Sequence, residues 1–306
     1  MLSLKINNDA IGTPPANSVS GIDRAQTTET LAGLATVIEK VGHEGFLGAL
    51  AALCQSNSGY DSTFVTAFFP SHSPVELFDN LDDQYCGATI KPYLDFAYLF
   101  DPFYNLFRQG FGDGVMALND CAPDDFLTSE YYQTFYSGTG LFDETGLFIR
   151  FDQGACLVLS LGSREEGFQL SPQARLALEK LLPCVGALCR RHWPRLDPET
   201  VIGHGRIGQH LNKSFERFAT SILSEREAEI VRLILKGHSS KSIARELGNS
   251  PETVKVHRKR IHAKLGIASQ GELFSLFLEA LSRTPANATK DPLVYLDRKL
   301  SDPYYD

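Results

Sequence analysis

Apolar residues recur at three- and four-residue intervals from Glu29 to Cys54 (Leu31, Leu34, Val37, Ile38, Val41, Phe46, Leu47, Leu50, Leu53), with an interruption at Gly42 to Gly45. This spacing predicts one broken helix or two. Two short runs rich in β-formers, Thr63 to Phe69 and Val75 to Asp79, flank the turn-like PSHS and predict a strand pair. From Lys91 to Gly110 the chain is dense in aromatic residues and predicts helix on either side of Asp101-Pro102, because proline disfavours helical backbone in the residue before it. Ser129 to Tyr136 predicts a further short helix. The runs Gly146 to Phe151 and Ala155 to Gly162, separated by Asp152-Gln153-Gly154, read as a hairpin. Ser171-Pro172 then opens a helix through His192, with Ser171 as N-cap, Pro172 at the first helical position, a kink expected at Pro183, and Leu176, Leu178, Leu181, Leu182, Val185 and Leu188 on the apolar face. This order of elements is α+β, one antiparallel sheet flanked by helices.

The rest of the chain reads differently. Residues 1–28 are polar and aperiodic, and read as a mobile leader to a first domain at 29–192. Residues 193–222, with Pro194, Pro198, Gly203, Gly205 and Gly208, read as a linker. Residues 223–282 are punctuated into four short helices. Ser224 and Glu227 form a capping box for a helix ending at Gly237. Ser239 or Ser240 starts a second, which stops at Gly248. Ser250 caps a third with Pro251 at its first position and Gly266 after its end. Ser269 and Glu272 form a second capping box for the fourth, with Leu273, Phe274, Leu276, Phe277 and Leu281. Two helices joined by Gly248-Asn249-Ser250, the second strongly basic, outline a helix-turn-helix in an all-α domain. Residues 283–306 read as a tail with little structure unless it docks on a neighbour.

Charge sharpens this division. The whole chain of 306 residues carries a net −8, which by itself argues against nucleic acid. Residues 1–200, however, hold 12 Lys and Arg against 25 Asp and Glu, a net −13, whereas residues 201–306 hold 17 against 12, a net +5. From Arg232 to Lys264 the balance is +7. The six cysteines (54, 86, 121, 156, 184 and 189) form no C-x-x-C pair and read mostly as small buried apolar residues. No metal-ligand spacing occurs, no nucleotide or hydrolase motif is present, and neither a catalytic site nor a cofactor is expected. No basic-then-apolar leader and no apolar run of about 18 residues is found, so a cytoplasmic protein is expected.

Projection of the third helix at 100° per residue places Val254, Arg258, Ile261 and Leu265 on one stripe facing the core. Lys255, Lys259, Val256 and Arg260 lie on the other side. Lysine can donate to guanine O6 and N7 and valine can pack on a thymine methyl, as an element lying in the major groove requires.

The run Leu223, Glu227, Glu229, Ile230, Gly237, Ser240, Lys241, Ile243, Ala244, Leu247, Ser250, Thr253, Val254, Lys255, His257, Ile261, Lys264, Leu265 and Glu272-Leu273 resembles the DNA-binding domain of LuxR-type transcriptional regulators. The string TVKVHRK is most similar to the nitrate/nitrite response-regulator branch. The resemblance implies a recognition helix with base contacts from Lys255, Val256 and Lys259, and phosphate contacts from Ser240, Lys241, Ser250, Thr253 and His257. Arg258 and Arg260 complete the candidate DNA-binding set. It also implies a homodimer, with the fourth helix often forming the dimer contact. Gln270 stands where the family usually has arginine.

No receiver-type series of strands and acids occurs in residues 1–190. Length and order there resemble the α-β-α sensor domains attached to LuxR-type heads, of the autoinducer-binding or GAF/PAS-like kind. Asp101-Pro102, preceded by Tyr98, is similar to the Asp-Pro of acyl-homoserine-lactone receptors, although no tryptophan precedes Trp193. The ligand-binding candidates are Tyr93, Asp95, Tyr98, Asp101 and Tyr104, with an amine cation as one ligand class compatible with the acidic surplus. The expected function is one-component transcriptional regulation on promoter DNA, controlled by a small-molecule effector. The alternative is an N-terminal domain that binds a partner protein instead.

Overall fold

A five-stranded antiparallel sheet of order β2-β1-β5-β4-β3 forms the centre of the N-terminal half, in a computed structural model that describes residues 21–81, 90, 92–201, 214–285 and 288–296. Its strands are β1 (Ser62–Phe69), β2 (His72–Asp79), β3 (Gly114–Ala117), β4 (Asp143–Arg150) and β5 (Cys156–Ser163). Alternation along the central strands separates two apolar layers. Val65, Ala67, Leu147, Ile149, Leu157, Leu159 and Leu161 face α1 (Gly21–Glu39), α2 (Phe46–Ser58) and α5 (Pro172–His192). Phe68, Phe148, Cys156 and Val158 face the opposite way, onto an aromatic layer built from the 3-10 turn Ala97–Phe100, α3 (Pro102–Arg108) and α4 (Glu130–Thr134).

The C-terminal helices α6 (Glu225–Leu235), α7 (Ser240–Glu246), α8 (Pro251–Leu265) and α9 (Gln270–Arg283) continue this second layer, and their apolar residues share one cluster with it. The fold class is therefore the expected one, an α+β domain followed by an all-α helix-turn-helix domain.

Local chemistry sets the element ends. Gly42 and Gly45 adopt φ of 81° and 84°, the left-handed region that glycine tolerates, and break α1 from α2 as the pattern predicts. Ser171 and Ser250 cap α5 and α8, each followed by proline at the first helical position, and Ser129 caps α4. Ser224 and Glu227 form the reciprocal capping box of α6. In the second box Ser269 accepts from Glu272 N–H, but the Glu272 carboxylate takes Ala268 N–H at 2.8 Å instead of the cap's own. Pro183 lies inside α5, which runs through it as a single helix.

Several expectations need correction. The helix expected from Glu29 starts at Gly21, so part of the polar stretch read as a leader is helical. The edge strand β3 was not anticipated, being only four residues long. Leu176, assigned to the buried face of α5, is 48% exposed. Phe215 and Phe218, in the stretch read as a linker, are buried in the layer shared by the two halves. The tail docks on its own chain: Leu293 and Leu296 are buried, and the Asp291 carboxylate accepts Ala219 N–H (3.0 Å), Ser221 N–H (2.8 Å), Ser221 Oγ–H (2.6 Å) and Leu293 N–H (3.0 Å). This clamp holds Ala219 at φ 64°, a conformation that costs a non-glycine residue. Cys54, Cys156 and Cys189 are buried and Cys184 is exposed, while Cys86 and residues 1–20 lie outside the described residues.

Asp291→Ala removes an acceptor that serves buried donors, and a loss of about 2–4 kcal/mol in chemical unfolding is expected. Unchanged stability would contradict the clamp. Glu227 supplies a pH-dependent contribution. Burial works against its ionisation, but the Lys264 ammonium at 2.7 Å and the Ser224 N–H and hydroxyl outweigh it and hold the carboxyl below its ordinary 4.5. A depressed carboxyl stabilises the fold fully above its unfolded value and loses that contribution as pH falls through the folded one. Glu227→Gln is therefore expected to destabilise at pH 7 and to differ progressively less from the native chain below pH 4.5, as read from urea midpoints against pH.

Candidate functional site

The outward surface of α8 is where the second domain presents its charge. Val254, Ile261 and Leu265 are buried beneath it, while Lys255, Val256, Lys259 and Arg260 are exposed, Val256 to 50%. The helix is fixed at both ends, by Ser250 accepting Thr253 N–H at 3.1 Å and by Gly266 at φ 64°. Glu227 on α6 reaches across to Lys264 on α8 and locks the orientation of that surface. Ser250 and Thr253 are exposed at its N-terminal end, sharing a hydroxyl contact of 2.9 Å. His257 is half-buried, with Nδ1 enclosed and unpaired among the described residues.

Two candidates are placed differently from the rest. Arg258 points into the joint between helices, donating to Gln270 Oε1 at 3.0 Å and to Ser240 Oγ at 3.5 Å, and burial lowers its pKa. It braces the recognition helix instead of joining the exposed basic face, as its position on the inward stripe implies. Gln270, where a family arginine is usual, is the acceptor of that brace. Ser240 is half-buried beside it and Lys241 is exposed at the start of α7.

The first domain grips the second at three places. Phe100, at the end of the 3-10 turn, sits among Phe274 (5.1 Å between ring centroids), Phe277 (5.7 Å) and Phe215 (5.8 Å). Arg108 on α3 pairs with Glu216 at 2.7 Å. Asp124 takes both the N–H (3.2 Å) and the hydroxyl (2.5 Å) of Ser239, the N-cap of α7. Partial burial opposes Asp124 ionisation, but these bonds win and keep its pKa below the ordinary value. Beside them, a Cβ on Gly237, which adopts φ 86°, would lie 3.1 Å from Ser129, and one on Gly271 would lie 2.8 Å from the carboxyl end of Glu130. Lys236 lies in this joint over the Phe215 ring, and burial together with Arg108 and Arg232 brings its ammonium down to about 8. Leu273, Phe274, Leu276, Phe277 and Ala280 of α9 are buried within one chain, while Leu281 is half-buried.

Between the sheet and α4 lies a cavity of about 80 Å³. Ser62 and Phe64 of β1, Glu144 of β4, and Ser160 and Gly162 of β5 form its floor, brought side by side by the register Phe64↔Ser160 and Glu144↔Gly162. Tyr93, Asp101, Tyr131, Phe135 and Tyr136 form its walls, and Arg164 lies at its edge with Nε donating to the Thr139 carbonyl at 3.1 Å. Tyr93 donates to Asp101 at 2.6 Å and Tyr136 to Glu144 at 2.7 Å. Burial pushes the Asp101 carboxyl up to about 6, although Tyr93, Phe103 N–H and Tyr104 N–H favour its charged form. Burial, and then repulsion from Asp101, push Glu144 up to about 7.

Of the ligand-binding candidates, Tyr93 and Asp101 line this cavity. Tyr98 and Tyr104 do not: they are core rings in edge contact at 4.9 Å, under Phe68 and Phe107. Asp95 is exposed on the surface. Glu144, Tyr131, Tyr136 and Ser160 escaped sequence reading. Trp193 packs against Phe46 and His192 in the other layer.

The chain is similar in sequence to known transcriptional regulators. Residues 221–277 match the family described as "Bacterial regulatory proteins, luxR family". An HTH-type transcriptional regulator from the exeN 3' region of Aeromonas salmonicida is 33% identical over 197 residues, which is 63% of this chain and 100% of that protein. The transcriptional regulatory protein TdiR of Thauera aromatica is 47% identical over 60 residues, 20% of this chain and 26% of that protein. Among solved structures, the VqsR ligand-binding domain from Pseudomonas aeruginosa aligns with 26% identity and a TM-score of 0.47, covering 58% of this chain and 100% of that one. Identity sustained over the full length of the Aeromonas salmonicida regulator places the chain in a family, and it belongs to the luxR family of bacterial regulatory proteins.

Proposed function

We propose that this transcriptional regulator acts as a cytoplasmic, one-component homodimer in which α8 of each protomer enters the major groove and a small molecule in the aromatic cavity controls DNA binding. The observation that carries the DNA-reading part is the exposed face of α8, where Lys255, Val256, Lys259 and Arg260 stand on a buried apolar stripe. Lys241, Ser250 and Thr253 lie where backbone contacts would fix the register, with His257 alongside. Among the described residues no helix is long and apolar enough to cross a membrane.

The cavity supports control by a small molecule, since aromatic and aliphatic residues line it together with several convergent polar groups. The joint between the halves supports coupling. A DNA phosphate approaching the start of α7 would seek the same N–H and hydroxyl that Asp124 holds. Ligand occupancy that shifts the wall of the cavity at Asp101 moves the neighbouring Phe100, and with it the sensor's hold on α9.

Lys255→Ala and Lys259→Ala are each expected to weaken binding to a cognate promoter fragment by about 1–3 kcal/mol and to flatten the salt dependence. Lys180→Ala, exposed on α5, should leave both unchanged. Equal affinities for all three variants, measured by fluorescence anisotropy across a salt series, would refute the assignment of α8. Asp124→Ala frees the N-cap of α7, and a severalfold gain in DNA affinity of the ligand-free protein is expected. A fall or no change would mean that the contact does not oppose DNA.

A further inference from the structure

We infer that the cavity takes a small molecule carrying a protonated amine, held between the carboxyls of Asp101 and Glu144 and the rings of Tyr93, Tyr131 and Tyr136. The inference rests on the reading of the first domain as a small-molecule sensor and adds to it the chemical class of the ligand.

Two carboxyls reach one enclosed space from separate elements, Asp101 from the turn before α3 and Glu144 from β4. Among the described residues neither forms an ion pair with lysine or arginine. Buried acids without a basic partner hold a proton more tightly unless something of opposite charge joins them. Asp101 has a structural role that explains part of its position: Oδ1 caps α3 by accepting Phe103 N–H at 2.8 Å. Glu144 caps nothing. It lies deep among protein atoms yet keeps part of its surface open, and that opening is the cavity. Among the described residues its partners are the hydroxyls of Tyr136 and Ser160, whereas a carboxylate offers about four acceptor directions. Acceptor capacity therefore remains on a carboxyl that lines the cavity.

The remaining lining suits a cation. Tyr93 is stacked on Phe135, and Tyr131 lies near Phe135 and Tyr136, so aromatic rings line the space beside the two acids. The open volume, at roughly 10–15 Å³ per water, holds several waters or a compact organic head group. A neutral acyl chain in the same space would strip water from both carboxyls and return no charge.

The titratable groups facing Glu144 fix the pH behaviour. They are Asp101, the phenols of Tyr93, Tyr131 and Tyr136, the Cys121 thiol, Asp143 on the opposite face of β4, and Arg164 at the cavity edge. Burial raises the three phenols and the thiol, which stay neutral. With the Glu144 carboxyl at about 7, amine binding must expel its proton below that value. With the Asp101 carboxyl at about 6 also losing its proton over this range, affinity should rise about ten- to twentyfold from pH 6 to pH 8, and about half a proton should be released per amine bound at pH 7.

The test uses the full chain with 2-phenylethylamine and ethanolamine as cationic probes, and 2-phenylethanol and N-hexanoyl-homoserine lactone as neutral ones. Thermal shift and calorimetry are read at pH 6, 7 and 8. Stabilisation by an amine that grows with pH, with proton release seen as a buffer-dependent heat, supports the assignment. Glu144→Gln keeps an acceptor for Tyr136, and it should weaken the amine at least tenfold and abolish proton release. The native chain's pH profile and buffer dependence provide a readout that does not depend on this variant folding. Binding by the neutral probes alone leaves the sensor reading standing and overturns the amine. Amine binding that is flat across pH with no proton release also overturns it, and silence from all four probes overturns both.

Discussion

A carboxylate enclosed by aromatic rings has to find donors, and Asp101 finds them in Tyr93 O–H, Phe103 N–H and Tyr104 N–H. Much of the second layer follows from that requirement. Satisfying Oδ1 starts α3 at Pro102 and so directs Phe103, Tyr104 and Phe107 into the sheet. Satisfying Oδ2 draws Tyr93 to the cavity wall. The preceding residue is Phe100, whose ring is committed to Phe215, Phe274 and Phe277 of the C-terminal half. One peptide bond therefore separates the group that lines the cavity from the group that holds the DNA-binding domain.

The joint between the acidic first half and the basic second half is not made by their opposite net charges, since its one ion pair among the described residues sets a base of the first against an acid of the second. Their surfaces do not meet at random: Asp124 faces the N-cap of α7, Glu130 faces Gly271, and Arg108 pairs with Glu216, while the exposed basic face of α8 is left clear. The contact is centred on aromatic rings and edged by a few charge-assisted hydrogen bonds, the usual anatomy of a separable interface. Such edges are sensitive to salt, whereas the Phe100 cluster is not.

What was legible in the sequence was whatever depends on neighbours along the chain. Ser224 with Glu227, Ser250 with Pro251 and Gly266 after α8 act within one turn, so they announced the helices of the second domain. The two hairpins and the cap at Ser171 were readable for the same reason. The cavity was not. Glu144 and Ser160 become neighbours of Asp101 only through sheet register, and a lone acid or serine in a strand gives no local sign of that. Tyr98 and Tyr104 looked equal to Tyr93 in a run of aromatic residues, because composition does not say which ring turns to the core. The strand Gly114–Ala117 is too short to show alternation, and the tail gave no signal because its clamp at Asp291 closes on residues about seventy positions earlier.

The burial of the α9 face inside one chain sets a rule about concentration. Phe274 and Phe277 are covered by a partner tethered to them, and tethering of this kind acts like a local concentration that dilution cannot lower. A second copy that used the same face would have to compete with that tether, and its chances would rise with the number of molecules in the cell. A ligand that loosened Phe100 would change the terms of this competition, and the response would then depend jointly on how much effector and how much protein are present.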